Sequence, residues 1–368
     1  MTRVFVLNAG SSSLKYEVVD VEAGTAVTSG LIERVTDYSA ALADVLGDLD
    51  SETIDAVGHR IVHGGSVFVE ATLIDDSVEE QIEALATLAP LHNPPGLEGI
   101  RAARAALPFI PHVAVFDTAF HATLPPEAYT YALDSAIALM YGIRRYGFHG
   151  TSYKYVSARA AEVLGRPLED LKLVVLHLGN GASAAAISGG RSIDTSMGMT
   201  PLEGLVMGTR SGDIDPAVLL HLQRVGNYDA AELDQLLNRA SGLQGLGGHS
   251  DMRDLLATVE RGDVGAKLAF DVYVHRIVRY IGAYAAELGG IDALVFTAGV
   301  GENSDVVRAR AVEGLGFLGL SVDAGLNAAR SSDPRVISPA GSTVAVMVVP
   351  TNEELQIARE TLEVVTAS

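Results

Sequence analysis

The chain of 368 residues contains no cysteine. That absence excludes disulfides, thiolate metal sites and a cysteine nucleophile. Positive charge is scarce: 26 Lys and Arg stand against 46 Asp and Glu, a formal net charge of −20. So acidic a surface disfavours nucleic acid and anionic membrane as partners. No apolar run approaches a membrane span, and the densest, "TVAVMVVP" at 343–350, is the length of a strand. No basic leader followed by a long apolar run opens the chain, so a cytoplasmic protein is expected. The patterns G-x-x-x-x-G-K-[ST], H-E-x-x-H and G-x-S-x-G are all missing. P-loop, metalloprotease and serine-hydrolase readings therefore lack motif support. "GLGFLG" at 314–319 does fit G-x-G-x-x-G, but it follows the helical pattern "RARAVEGL" where a strand is required.

What is present reads as an α/β protein. The length predicts two domains, and 48% hydrophobic residues suffice for two cores. Strand-like runs include "RVFVLN", "YEVVD", "DAVGHRIVHG", "HVAVFDT", "KLVVLHLG", "ASAAAIS", "DALVFTAG" and "TVAVMVVP". They alternate with helical stretches. One of these is "SVEEQIEALATLAPLH" at 77–92. Another spans 264–290, where Leu268, Val272, His275, Val278 and Gly282 fall near one face and Gly289-Gly290 supplies a stop. A last helix is expected from Glu353 to Val365. "VFVLNAGSSSLKYEVVD" from Val4 and "VVLHLGNGASAAAIS" from Val174 share a strand–bend–strand pattern. Their placement near the starts of two halves suggests a duplicated domain.

Three bends of small residues, "NAGSSS", "LGNGAS" and "TAGVGENS", each follow a strand-like run. Small residues let backbone N–H groups approach an anion without a side-chain clash. Singly, such bends are only turns. Together they favour a nucleotide site.

The stretches "NAGSSSLKY", "GHRIVHGG", "FDTAFH", "RRYGFHGTS", "HLGNGAS", "GTRSGDIDP", "FTAGVGENS" and "PTNEEL" run from Asn8 into the final helix. In this order they resemble the acetate kinase family. The resemblance implies two duplicated ribonuclease H-like domains of the actin-like ATPase fold, with the nucleotide cleft between them. The expected division is 1–118 with 353–368 for the first domain, and 119–352 for the second. The implied reaction is ATP + acetate ⇌ ADP + acetyl phosphate, by direct in-line transfer with Mg²⁺, or Mn²⁺ in its place. A homodimer formed through the second domain is also implied.

Site residues follow from the same resemblance. Asn8 and Glu353 are expected at the metal, and Lys15 near the phosphates. His177, Leu178, Gly179, Asn180 and Gly181 are expected at ATP, with Gly299, Val300, Gly301, Glu302 and Asn303. Asp251, Met252 and Arg253 would lie beside the adenosine. Arg60, Asp117, His149 and Arg210 would be catalytic. Arg60, Val62, Leu91, Phe148 and Pro201 would form the acid pocket. Asp117 is read as a positioning group, because acetate is already ionised at pH 7 and offers no proton to a base. Without the family pattern each of these residues alone has a bland reading: a surface arginine, a hydrogen-bonded core histidine, a strand-end cap. His59, His63, His92 and His121 are read as structural. Three departures stand out: Tyr153 where the family commonly has histidine, Met252 where it has phenylalanine, and a short stretch at about 24–52. The alternatives are a propionate or other short-chain acyl kinase, and a non-catalytic nucleotide switch of the same fold.

Overall fold

The computed structural model describes residues 2–10, 13–47, 53–90 and 92–367. Two compact units emerge. One comprises 1–122, 148–155 and 352–368; the other comprises 123–147 and 156–351.

The first unit is built on a six-stranded sheet of β1 (Arg3–Ala9), β2 (Ser13–Asp20), β3 (Thr25–Glu33), β4 (Ala56–Ile61), β5 (Thr72–Leu73) and β6 (His112–Phe116). The order is β3-β2-β1-β4-β6-β5. β1, β4 and β6 are mutually parallel, and the remaining pairs are antiparallel. Successive side chains of a strand point to opposite faces. Val4 and Val6 accordingly meet Leu355, Ile357 and Ala358 of the helix Glu353–Ala367. Phe5 and Leu7 meet Leu14, Tyr38, Leu42 and Ala103 on the other face. Burial on both faces explains why "RVFVL" is a continuous apolar run. Gly58 of β4 lets the terminal helix approach: a Cβ there would stand 2.4 Å from Thr361 Oγ1 and 2.9 Å from Ile357 Cγ2.

The second unit carries β7 (Lys172–Leu178), β8 (Ala182–Ser188), β9 (Arg191–Thr195), β10 (Ala293–Thr297), β11 (Arg335–Val336) and β12 (Ala345–Val348). The order is β11-β12-β10-β7-β8-β9. Read from β9, order and direction reproduce the first sheet strand for strand. The repeat glimpsed in the two strand–bend–strand segments is thus a repeat of topology. β1–β2 and β7–β8 hold equivalent places.

Two helices differ from expectation. The helix 264–287 buries Ala266, Ala269, Phe270, Tyr273, Val274, Ile277, Ile281 and Tyr284. The stripe through Leu268, Val272, His275, Val278 and Gly282 is not the buried one, and Leu268 is 57% exposed. Both stripes have helical spacing, but His275 and Gly282 interrupt the second, so the core takes the one with unbroken apolar and aromatic bulk. The helix predicted over 77–92 runs only Asp76–Ala84, capped by Asp75, and tightens into a 3₁₀ turn at Leu85–Thr87. Pro90 lacks the N–H that a longer helix would need. No described helix is long and apolar enough to cross a membrane.

Candidate active site

Parallel strands expose their functional loops at their carboxyl ends. In the first unit Asn8 closes β1, Arg60 lies at the end of β4, and Asp117 follows β6. Because β1, β4 and β6 are neighbours, these three side chains converge. Arg60 donates to Asp117 from Nε at 3.2 Å and from Nη2 at 2.5 Å, and from Nη1 to Asn8 Oδ1 at 3.2 Å. Glu353, at the start of the terminal helix, places Oε2 at 3.9 Å from Arg60 Nε. Thr151 Oγ1 donates to Asp117 Oδ1 at 3.3 Å. Burial by itself would lower the Arg60 pKa, but the charges of Asp117 and Glu353 outweigh it and raise it. Glu353 is pushed up to about 7, first by burial, with Arg60 opposing and Asp117 and Glu354 adding repulsion. Lys15 pairs across the β1–β2 hairpin from Asn8, remains half exposed, and forms an ion pair with Glu354.

His149 also lies in the first unit, one residue before the helix Gly150–Leu164. Its backbone is left-handed, with φ of 59°, a conformation that costs a non-glycine residue about 1–3 kcal/mol. Its neighbours enforce it. Gly150 N donates to Asp117 O at 2.9 Å, and a Cβ on Gly150 would sit 2.2 Å from that oxygen. Phe148 is buried edge-on against His63, and its carbonyl lies 3.0 Å from His121 Nε2. Val62 follows β4 beside His63. Leu91 lies outside the described residues, as do Ser11 and Ser12 of the first bend. Tyr153 is fully buried, 6.3 Å from the Phe120 ring and 5.5 Å from His121.

The second unit contains a cavity of about 800 Å³, within the size range of small-molecule sites. One wall is polar and glycine-rich: Gly179 and Asn180 from the β7–β8 bend, Gly208, and Gly299 with Asn303 after β10. The lining also has an apolar part, from Met252, Leu256, Leu243 and Tyr273. Small residues beside backbone donors suit phosphates, and the apolar lining suits a base. Asp251 caps the helix Met252–Glu260 and accepts from Arg253 N, Nε and Nη2 at 2.8, 3.0 and 2.6 Å. Those bonds lower the Asp251 carboxyl to about 2. His177 and Leu178 are buried in β7, and neither they nor Gly181, Gly301 and Glu302 line the cavity. Ala298, at φ of 63°, makes the sharp exit from β10.

Arg210 and Pro201 belong to the second unit. Arg210 Nη1 reaches Pro201 O at a long 3.4 Å and Met207 Sδ, a weak acceptor, at 3.8 Å. Burial, then repulsion from Arg239, lowers its pKa. Arg210 is thus a partly buried cation without a carboxylate partner among the described residues.

Sequence reasoning overlooked Tyr273, which lines the cavity from the helix Val264–Glu287, and Arg308, which holds the segment after β10. Arg308 is 2% exposed. It donates to Gly301 O and Glu302 O, both at 2.9 Å, to Asn327 Oδ1 at 2.7 Å and to Asn327 O at 2.6 Å. The only sequence signal was its position soon after "TAGVGENS".

Two sheets of one topology, each with its loops at the carboxyl ends of the central parallel strands, define the duplicated actin-like ATPase fold. Comparison with known proteins narrows the class. The acetokinase family profile matches residues 36–359. An acetate kinase of Leifsonia xyli subsp. xyli is 58% identical, covering 100% of both chains. The crystal structure of Porphyromonas gingivalis acetate kinase superposes with a TM-score of 0.96 at 41% identity, covering 99% of this chain and 100% of that one. A propionate kinase from Francisella tularensis gives 0.93 at 40%, with the same coverage. The chain belongs to the acetokinase family.

Proposed function

We propose that the protein is an acetate kinase, catalysing reversible phosphoryl transfer between ATP and acetate to give ADP and acetyl phosphate. The observation that carries this reading is the full-length 58% identity to an acetate kinase, in a chain whose Arg60, Asp117 and Asn8 side chains converge. Phosphoryl transfer asks for in-line positioning and for compensation of charge on the equatorial oxygens. Arg60 has five N–H donors, and its bonds to Asp117 and Asn8 leave some for a carboxylate or phosphoryl oxygen. Asp117 keeps that guanidinium charged and aimed. Arg210, without a carboxylate of its own, is suited to an incoming anion. His149 is assigned a donor role toward the transferring group, and its strained backbone supports that reading. Val62, Phe148 and Pro201 are assigned to the acid pocket.

The cavity of the second unit is assigned to the nucleotide, with Gly179, Asn180, Asp251, Met252, Arg253, Gly299, Val300 and Asn303 along it. Lys15, His177, Leu178, Gly181, Gly301 and Glu302 are assigned supporting contacts. Among the described residues no three His, Cys, Asp or Glu side chains cluster as a metal cage. Mg²⁺ needs no such cage, since it takes one or two protein oxygens and keeps water and phosphate for the rest. Asn8 and Glu353 fit: both offer oxygen, and a cation would offset the burial, and after it the repulsion from Asp117 and Glu354, that raise Glu353. Bound Mg²⁺ would neutralise charge on the β- and γ-phosphates. A cytoplasmic homodimer formed through the second unit completes the proposal. Leu139, Met140 and Tyr141 of that unit are 85%, 74% and 64% exposed, an apolar patch suited to a partner.

The test is ATP-dependent acyl phosphate formation, trapped with hydroxylamine, using acetate, propionate and butyrate in parallel with Mg²⁺. The highest kcat/KM is expected with acetate. A propionate preference would reassign the protein as a propionate kinase, since one methylene changes apolar-pocket discrimination by only about 1–3 kcal/mol. ATP binding without acyl phosphate from any acid would point to a nucleotide switch.

A further inference from the structure

Arg210 sits in the loop 204–213, whose two ends meet. Gly204 N donates to Asp213 Oδ1 at 2.7 Å, and Asp213 N donates to Gly204 O at 3.0 Å. This closed neck makes the segment an Ω-loop, a form that recurs at functional sites. A second layer locks the neck from the helix Val264–Glu287. Arg276 donates to Gly204 O and Asp213 O, each at 3.1 Å, and lies 3.1 Å from Asp213 Oδ2. Tyr280, one turn further on, donates to the same Oδ2 at 2.9 Å. Burial, and then the charge of Asp213, raise the Tyr280 pKa, so the hydroxyl keeps its proton and remains a donor.

The loop interior shows what this lock can control. Leu205 and Met207 are fully buried. Gly208 is held independently, donating to Asn180 O at 3.0 Å and accepting from Gln244 N at 2.9 Å. Among the described residues the Arg210 guanidinium has no closer anchor than Pro201 O and Met207 Sδ, both at long range. Its direction is therefore set by the backbone. Between it and Asp213 the chain passes Gly212 at φ of 67°, where a Cβ would stand 2.4 Å from Leu205 O and 2.6 Å from Gly204 O. That tight crossing leads from Asp213 back to the turn carrying Arg210, whose carbonyl accepts from Met207 N at 3.1 Å.

We infer that Asp213, clamped by Arg276 and Tyr280, is a positioning residue that aims Arg210. The inference rests on the reading of Arg210 as a residue of the phosphoryl transfer. Its physical basis is that an unpaired cation must be pre-aimed by its scaffold, since a misplacement of about 1 Å can cost about 10²-fold in rate.

The experiment compares Asp213→Asn, Tyr280→Phe, Arg210→Ala and the Arg210→Ala/Asp213→Asn double variant in the full chain. The readouts are kcat, the KM for ATP and the urea midpoint. Asp213→Asn is expected to lower kcat by about tenfold or more, with the KM for ATP within about twofold of wild type because Gly208 keeps its own anchors. Tyr280→Phe is expected to move kcat the same way by about threefold, and it keeps the test open if Asp213→Asn fails to fold. The double variant is expected to be no slower than Arg210→Ala alone, since both changes act through one side chain. Additive losses in the double variant, or unchanged kcat in Tyr280→Phe and Asp213→Asn, would overturn the inference. Near-wild-type turnover in Arg210→Ala would instead remove the reading of Arg210, and the inference with it.

Discussion

Arg60 grips Asp117 with two hydrogen bonds, from Nε at 3.2 Å and from Nη2 at 2.5 Å. Asp117 is 1% exposed, whereas the Arg60 side chain keeps 21% of its surface open. The carboxylate is thus committed to the arginine, and the arginine retains an accessible edge. This asymmetry suits a residue that must be rigid yet available.

Breaking that pair should cost both activity and stability. Arg60→Ala is expected to lower kcat by roughly 10²-fold or more, as loss of a transition-state donor does. It should also destabilise the fold by about 3–5 kcal/mol, because the Asp117 carboxylate is left buried without its cation. Steady-state kinetics and urea unfolding of the same preparation check both parts. Full stability in Arg60→Ala would show that Asp117 finds another partner.

Arg210→Ala should behave differently. Its guanidinium has no carboxylate to orphan, so the stability change should stay within about 1 kcal/mol. A kcat loss of roughly 10²-fold is still expected. A large drop in the urea midpoint would mean that Arg210 is chiefly structural.

Arg308→Met should loosen the nucleotide wall at the segment after β10. The substitution leaves the carbonyls of Gly301, Glu302 and Asn327 without their donor, at about 1–3 kcal/mol for each buried group that finds no water. The KM for ATP should rise severalfold while the KM for acetate holds. Equal effects on both constants would count against a local role.

Acid should destabilise the first unit through His59 and His112. Their Nε2 and Nδ1 lie 3.0 Å apart, and His112 Nε2 lies 3.1 Å from Leu107 O. With His112 donating to that carbonyl, its Nδ1 accepts from His59, and both rings are neutral. Burial, then the proximity of His112 and Arg104, holds His59 well below its ordinary value; burial lowers His112 as well, against the Leu107 carbonyl. Below about pH 6.5 the unfolded chain takes up protons that the fold refuses, so stability falls by up to about 1.4 kcal/mol per histidine per pH unit. Glu353 and Glu287, both raised to about 7, act with the opposite sign. The test is therefore the difference between wild type and His59→Gln in urea midpoints from pH 7.5 to 5.5. The variant should lose less on acidification, and parallel profiles would refute the assignment.

Much of this protein could be read from its sequence because its chemistry sits where local pattern is strongest. Asn8, Arg60 and Asp117 each end or follow a short apolar strand, and the glycine bends after β7 and β10 announce themselves through small residues. The doubled strand–bend–strand pattern likewise follows from sterics that act over a few residues. Tertiary structure alone decided the rest. Two stripes of the helix 264–287 have helical spacing, and only packing chose the one through Tyr273. That choice carries Tyr273 into the cavity. The partners of Asp213, at Arg276 and Tyr280, lie more than sixty residues downstream. Arg308 and Asn327 belong to separate helices. Such pairs leave no periodic trace, because hydrogen bonds between distant segments depend on how whole elements dock. Strand-end chemistry is local and was legible; the scaffold that aims it is not local and was not.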